Sequence, residues 1–202
     1  MKYAFRLFSL LVLPAAFVLL TGTACDGGAA PDRAWDRGEF QPVPENQKAY
    51  SLPGGITIDS CYGYGDYIPE SDVPLYMVVS NTNSGNTQVT FPAGLVFDPG
   101  DPDVQYMMLL QDFTFTANAG VTDSILVPTY FCNADLTEPD DESSYEIAGR
   151  EWDKETEELL DIVASKQLNT DDAVTLAQTA LTEITDDDGL TAATRTALQA
   201  LP

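Results

Sequence analysis

The chain has 202 residues, with 32 Asp and Glu against nine Lys and Arg and no histidine, which gives a formal net charge of −23 at pH 7. A charge of this sign gives no attraction to nucleic acid or to anionic lipid head groups, so we expect no nucleic-acid partner. The absence of histidine excludes Ser-His-Asp and Cys-His nucleophile activation and histidine-ligated zinc. The acidic composition favours a solvated surface, with a cation-binding or basic-partner surface as the alternative. We expect a protein that is not an enzyme and that uses no cofactor.

Residues 1–24 have the three parts of an export signal. Lys2 and Arg6 form a short cationic region, an apolar run follows over 7–20, and small residues precede Cys25. In this order of segments the chain resembles bacterial lipoproteins, and the resemblance implies that Cys25 is joined to diglyceride through its sulfur and becomes the mature N-terminus. The same small residues also fit ordinary signal-peptidase cleavage, which would give an unlipidated secreted protein, while the short apolar run counts against a retained anchor helix.

Residues 25–49 are predicted to be the lipidated cysteine followed by a flexible tether. The segment 26–49 is rich in Gly, Pro and charged residues and has no apolar period. Fully extended, it would span up to roughly 80 Å, enough to hold a folded domain away from a bilayer. Loss of residues 1–24, which hold two of the nine Lys and Arg and none of the acids, leaves a net charge of −25. We therefore expect an exported protein of the bacterial cell envelope, lipid-anchored on the periplasmic side or at the cell surface.

Residues 50–150 consist of short apolar runs separated by turn sequences. Several runs alternate: Val89 and Phe91 oppose Thr90, and Phe113 and Phe115 oppose their threonine neighbours. About seven strands with no helical period between them predict a mainly β fold, an immunoglobulin-like antiparallel β-sandwich. The candidate strands are 56–58, 75–79, 87–91, 95–97, 104–110, 113–116 and 125–131. The expected core includes Val89, Phe91, Val96, Met108, Leu110, Phe113, Phe115, Ile125 and Val127.

Residues 151–202 show a helical period and predict a small three-helix tail packed on or next to the sandwich. The break at 186–189 separates the last two helices, and Asn169 or Thr170 and then Thr191 are the expected N-caps. The apolar stripes are Leu159, Leu160 and Val163, then Val174, Ala177, Leu181 and Ile184, and then Leu190, Ala197, Leu198 and Leu201.

Cys61 and Cys132 remain as an even pair once Cys25 carries the lipid. An exported protein matures in an oxidising compartment, where paired cysteines commonly form structural disulfides. We therefore expect a Cys61–Cys132 disulfide.

Tyr62, Tyr64 and Tyr67 lie in a glycine-rich loop. Their flat rings are suited to stacking on a sugar or a peptide, because the glycines let the backbone approach a ligand closely. The alternative is that the loop only covers one end of the sandwich. These three tyrosines are the candidate ligand loop.

Two acidic clusters, Asp98/Asp101/Asp103 and 186–188, raise calcium binding through carboxylate oxygens. An EF-hand register with Gly189 sixth would put Ile184 first and Arg195 twelfth, so the second cluster fails that pattern. Solvated turns are the better interpretation, and we predict no metal site. Paired carboxylates also raise glycosidase chemistry, but that chemistry needs two acids held across a deep cleft, and a small sandwich offers no obvious one.

Three segments resemble, in their order, bacterial surface thioester domains: YFCN at 130–133, AQTA at 177–180 and TDDDGL at 185–190. Those domains pair an aromatic-Cys motif with a later Gln-x-Ala motif. The resemblance implies that Cys132 supplies the sulfur and Gln178 the acyl carbon of an internal thioester that acylates amines of a host or partner. It covers about a third of the chain, with Leu181 and Thr182 where Ile-Trp is expected, and Cys61 competes for Cys132.

The sequence thus favours a membrane-tethered, non-catalytic binding or structural module of the envelope, with a protein or glycan as ligand. The first alternative is a thioester adhesin that acts through Cys132 and Gln178. A carbohydrate- or calcium-binding surface domain is a further alternative.

Overall fold

The computed structural model describes residues 48–65, 68–71, 73–151 and 153–202. This part of the chain contains nine β-strands followed by three α-helices, and its strand ladders are antiparallel. The prediction of a mainly β protein with a C-terminal three-helix segment is confirmed. The expected signal peptide, Cys25 and the tether as far as residue 47 lie outside the described residues, as does Tyr67.

The strands form three sheets with the orders β1-β2-β7, β3-β6 and β8-β5-β4-β9. The strands are β1 (Ile56–Gly63), β2 (Leu75–Asn81), β3 (Thr87–Phe91), β4 (Leu95–Asp98), β5 (Tyr106–Met108), β6 (Phe113–Ala117), β7 (Thr122–Val127), β8 (Tyr130–Cys132) and β9 (Glu146–Arg150). The helices are α1 (Lys154–Val163), α2 (Asp171–Thr185) and α3 (Ala192–Ala200).

The strand count differs from the predicted seven at two places. The run 125–131 is divided into β7 and β8, and Pro128, which has no backbone N–H to give to a ladder, lies at the division. Strand β9 was not predicted, because its sequence EIAGR has no apolar alternation. It is nevertheless paired with β4 from Leu95↔Arg150 to Asp98↔Glu146.

The four-stranded sheet is the middle layer of the molecule and is apolar on both faces. Alternate side chains of a strand point to opposite faces. Val96 and Met108 therefore join the helices in one core cluster, which we term the helix-side cluster. Phe97 and Met107 join the other two sheets in a second one, the sandwich-side cluster. A sheet covered on both sides needs continuous apolar runs, and 95–97 and 107–110 are such runs. The layering is consistent with a β-sandwich that carries helices on one outer face.

The sandwich-side cluster contains most of the expected core. Phe91 is fully buried, and its ring lies 5.7 Å from Tyr50, 6.3 Å from Phe97 and 5.5 Å from Phe115 between centroids. The expected residues Val89, Phe91, Val96, Met108, Leu110 and Val127 are buried, whereas Phe113, Phe115 and Ile125 are half-buried and packed against the cluster. Aromatic packing therefore links β3, β4 and β6.

The helices lie on the middle sheet with their apolar stripes inward. Thr170 accepts a hydrogen bond from the Ala173 N–H and Thr191 from the Thr194 N–H, which confirms them as N-caps, and Asp153 caps α1. The predicted stripe residues are buried, apart from Leu201, which is half-buried, and Ala197, which is exposed. In the part of the chain that the structure describes, no helix has the length and apolar character needed to cross a membrane.

Candidate functional site: a cleft between two sheet edges

Two edge strands from different sheets meet at one end and separate at the other. Strand β1 is an edge of the three-stranded sheet, and β9 is an edge of the four-stranded sheet. The Tyr145 N–H donates to the Cys61 carbonyl at 2.9 Å, and the Gly63 N–H donates to the Ser143 carbonyl at 3.2 Å. Beyond these bonds the two edges diverge, and the space between them forms what we term the β1–β9 cleft.

The β1–β9 cleft is a cavity of about 640 Å³, within the range of small-ligand and peptide sites. Three kinds of side chain line it. The apolar or aromatic ones are Tyr50, Leu52, Ile58, Tyr62, Met77, Phe97, Tyr145 and Ile147; the acids are Asp59, Asp141, Glu142 and Glu146; the small polar ones are Ser60, Cys61 and Ser144.

The floor of the cleft belongs to the sandwich-side core. Met77 and Phe97 are fully buried in that cluster, and Cys61 pairs with Met77 across the β1–β2 ladder. The Tyr145 ring is buried, and its hydroxyl donates to the Gln105 carbonyl at 2.9 Å. The floor is thus a rigid apolar surface held by two sheets.

The rim of the cleft is acidic. Asp59, Asp141, Glu142 and Glu146 are exposed, and none of the described residues lining the cleft is Lys or Arg. Asp59 is held in place by hydrogen bonds from the Thr57 and Ser80 hydroxyls. Adjacent to the rim, hydrogen bonds from the Ser143 hydroxyl and the Glu142 N–H lower the pKa of Asp140. The rim therefore carries concentrated negative charge at neutral pH.

The predicted ligand loop is wrong at Tyr62, because β1 extends to Gly63 and Tyr62 lies on that strand, with Tyr64 just after it. Tyr62 and Tyr64 form part of a stacked array. Tyr62 stacks on Tyr76 at 5.0 Å between ring centroids, and Tyr64 stacks on Tyr76 at 6.1 Å. Burial, then Tyr76 and then the charge of Asp141 raise the pKa of Tyr62. Tyr76 was missed from the sequence, although the alternation of β2 places it opposite Tyr62 on the outer face of the sheet. Through Tyr62 the array borders the cleft.

Cys61 and Cys132 are both free thiols, so the structure does not contain the expected disulfide. Cys61 belongs to the sandwich-side cluster and Cys132 to the helix-side cluster. The middle sheet separates the two side chains, whereas a disulfide requires their Cβ atoms to face each other at close range. Burial raises the pKa of Cys61 to about 12 and that of Cys132 well above its ordinary value.

The structure brings together the segments that resemble thioester domains. The Gln178 side chain donates through Nε2 to the Phe131 carbonyl at 2.8 Å and accepts through Oε1 from the Phe131 N–H at 3.0 Å. Its carboxamide therefore docks on the residue next to Cys132. The Asp186 carboxylate accepts from the Ala134 N–H at 3.1 Å. The hydrogen bonds between Gln178 and Phe131 join α2 to β8.

Carboxylates of the first acidic cluster, Asp98/Asp101/Asp103, accept hydrogen bonds within local turns. The Asp98 carboxylate accepts from the Gly100 N–H at 2.7 Å, and the Asp101 carboxylate accepts from the Asp103 N–H at 3.0 Å. Within the described ranges there is no group of three or more Cys, Asp or Glu side chains placed to hold a metal ion.

Comparison of the chain with known protein families, with curated proteins and with solved structures gives no match.

Proposed function

We propose that this protein is an exported, lipid-anchored, non-catalytic binding module of the bacterial cell envelope, and that it takes its ligand in the β1–β9 cleft. One observation carries the proposal: a cavity of about 640 Å³ with an apolar floor and a rim of tyrosines and carboxylates. A few polar groups above an apolar surface are the usual composition of a binding site.

The chemistry of the cleft supports binding more than catalysis. Cys61 is the thiol that lines it, and a pKa of about 12 keeps that thiol protonated at neutral pH. The thiolate is the nucleophilic form, so such a cysteine is unreactive.

The envelope location rests on the first 49 residues. The signal-like segment, Cys25 and the tether support anchoring through acyl chains, because an acidic domain has no attraction of its own to an anionic bilayer. A Cys25→Ser variant is expected to move from the membrane fraction to the soluble fraction. Wild-type protein whose mass shows an unmodified Cys25 would instead establish plain secretion.

The proposal includes an immunoglobulin-like arrangement of the sandwich. Its support is the antiparallel pairing of the strands and the single cluster shared by Phe91, Phe97 and Met77, which come from three different sheets. Such sandwiches present ligand sites at their edges and ends, where strands of the two sheets separate.

An uncharged fluorescent probe, N-phenyl-1-naphthylamine, tests whether the cleft binds ligands. With full-length Cys25→Ser protein we expect a saturable rise in fluorescence. Ile58→Trp adds bulk at a half-buried lining position on the inner face of β1 and should weaken binding by at least about fivefold, whereas Ser124→Trp on the exposed face of β7 should not. Absence of binding to the wild-type domain, or equal binding to both variants, would overturn the proposal.

The thioester adhesin is the second candidate, favoured by the contact of the Gln178 carboxamide with Phe131. A thioester would form when the Cys132 sulfur attacks the Gln178 amide carbon and ammonia leaves. Methylamine added without reductant would then be incorporated at Gln178, and Cys132→Ala would abolish the incorporation. A protein whose mass equals that of the intact carboxamide and free thiol would exclude this function.

A further inference from the structure

We propose that the occupant of the β1–β9 cleft is an extended, cationic segment of a partner protein, which lies between the two diverging strands with apolar side chains on the floor and basic side chains on the rim. The inference rests on the proposed function, since it requires that the cleft binds a ligand. It adds the chemical class of that ligand.

The first step is charge complementarity. Four carboxylates border the cleft, and Lys and Arg are missing from the described residues that line it. Elsewhere Arg150 is bound to Glu157 at 3.1 Å, Arg195 to Glu158 at 2.6 Å, and the Lys166 amine to the Leu201 carbonyl at 2.8 Å. These three cations are held by partners outside the cleft, and the other two described cations, Lys48 and Lys154, do not line it. The described residues lining the cleft therefore supply no positive charge to the rim. Complementary charge speeds association and selects the partner.

The second step is the tyrosine array beside these acids. Aromatic faces carry negative potential and bind Arg or Lys side chains placed over the ring. Tyr62 lines the cleft, its ring stacks on Tyr76, and the charge of Asp141 acts on the same ring. A ring next to a carboxylate is a favourable environment for a guanidinium or ammonium group. An anionic ligand would be repelled at the same place.

The third step is the backbone geometry of the walls. Edge strands offer unpaired N–H and C=O groups that an extended peptide pairs with by strand addition. Both walls are edges of their sheets, and the segment 143–145 just before β9 is hydrogen-bonded to β1 at Cys61 and Gly63. At the far end of β9, Arg150 exchanges backbone hydrogen bonds with Lys48, so the stretch open to strand addition lies between these two contacts. Where they diverge, the gap lies between two strand edges. This feature favours a peptide over a small polyamine, which has no amide backbone to pair.

The fourth step is the division of the cleft into floor and rim. Side chains of an extended segment point alternately to opposite sides. One set would contact the apolar floor at Met77 and Phe97, and the other set would reach the carboxylates. The sequence class that satisfies both is an alternation of aliphatic and basic residues.

The test uses a fluorescein-labelled peptide of alternating lysine and valine, seven residues long, with a glutamate and valine peptide as its charge-reversed control. Anisotropy is measured on full-length Cys25→Ser protein. The double variant Asp141→Asn/Glu142→Gln should weaken binding of the basic peptide by at least about fivefold. Asp135→Asn/Glu138→Gln removes the same charge from exposed acids outside the cleft and should have much less effect.

The outcomes separate this inference from the proposed function. If N-phenyl-1-naphthylamine binds and the basic peptide does not, the cleft binds ligands but not this class. If neither binds, both proposals fail. Equal weakening by the two double variants would show only general attraction to an acidic protein and would overturn the inference. Binding that occurs only after Arg33→Gln/Arg37→Gln would identify the chain's own N-terminal segment as the occupant, which also overturns it.

Discussion

The two faces of the four-stranded sheet are covered in different ways. On one face, α1, α2 and α3 bury Val96, Met108 and Tyr130 in a core that includes the apolar stripes of all three helices. On the other face, Phe97 and Met107 are covered by strands, and the edges of these strands diverge into an open cleft. The helix-covered face is therefore closed, and the strand-covered face is open at the β1–β9 cleft.

Strand β8 shows the same contrast within three residues. Tyr130 and Cys132 belong to the helix-side cluster, while Phe131 packs against the sandwich-side cluster. The Phe131 backbone is also the point at which α2 is attached through Gln178. A short strand therefore connects the closed face to the open one.

The largest loss of unfolding free energy is expected from truncating a side chain on the closed, helix-covered face of the sheet. Leu181→Ala removes a fully buried side chain from the helix-side core and should lower the free energy of unfolding by about 2–5 kcal/mol. Ile147→Ala, at a half-buried position in the cleft wall, should cost about 1 kcal/mol. Urea denaturation followed by circular dichroism measures both. Equal losses would contradict the division of the sheet into a closed and an open face.

The next largest loss of unfolding free energy is expected when the contact between α2 and β8 is removed. Gln178→Ala leaves the Phe131 N–H and carbonyl without their side-chain partners, and an unsatisfied buried polar group costs about 1–3 kcal/mol. The matched control is Gln199→Ala on the exposed side of α3, which should change stability by less than about 0.5 kcal/mol. A Gln178→Ala protein as stable as this control would show that the carboxamide does not hold α2 in place.

The buried thiol beside the cleft predicts a pH dependence. Its pKa is about 12 in the folded protein against 9.0 for an unperturbed thiol, so the unfolded chain releases the proton first. The resulting stability is fully present below pH 9.0 and is lost as pH rises towards 12. The loss is at most about 1.4 kcal/mol per pH unit. Cys61→Ala should flatten the decline in unfolding free energy between these pH values. An unchanged slope would place the thiol in solvent.

The smallest change in unfolding free energy is expected from substitutions at the rim of the cleft. Asp141→Asn/Glu142→Gln should change the free energy of unfolding by less than about 0.5 kcal/mol, because both side chains are exposed. The same variant is expected to lose peptide affinity, so the pair of measurements separates a binding role from a structural one. A large loss of stability would show that the rim holds the sheet edges together.

Much of the fold follows from local patterns. The alternation of Val89 and Phe91, the stripe containing Val174 and Leu181, and the N-cap at Thr191 are each decided by residues a few positions apart. Strand β9 was not predicted, because it forms through its pairing with β4, some fifty positions earlier in the chain, and not through a local apolar pattern. The residues of a strand do not by themselves indicate which distant strand it will pair with.

The site was predicted only in part for the same reason. Tyr62 and Tyr64 were recognised from the glycine-rich loop, but Tyr76 enters the array through the β1–β2 register, and Glu146 reaches the rim through β9. The two cysteines were paired from their number and compartment. Their positions on opposite sides of the middle sheet depend on which layer each strand joins.

The sequence by itself determined the acidic surface, the exclusion of histidine chemistry, and the order of strands followed by helices. These depend on composition and on short-range periodicity, which shows which residues share a face. Only the tertiary structure decided which partner each face meets. It separated Cys61 from Cys132, docked Gln178 on β8, and opened a cleft between β1 and β9. Those outcomes depend on contacts between distant parts of the chain, whose pairing is set by packing of the whole molecule.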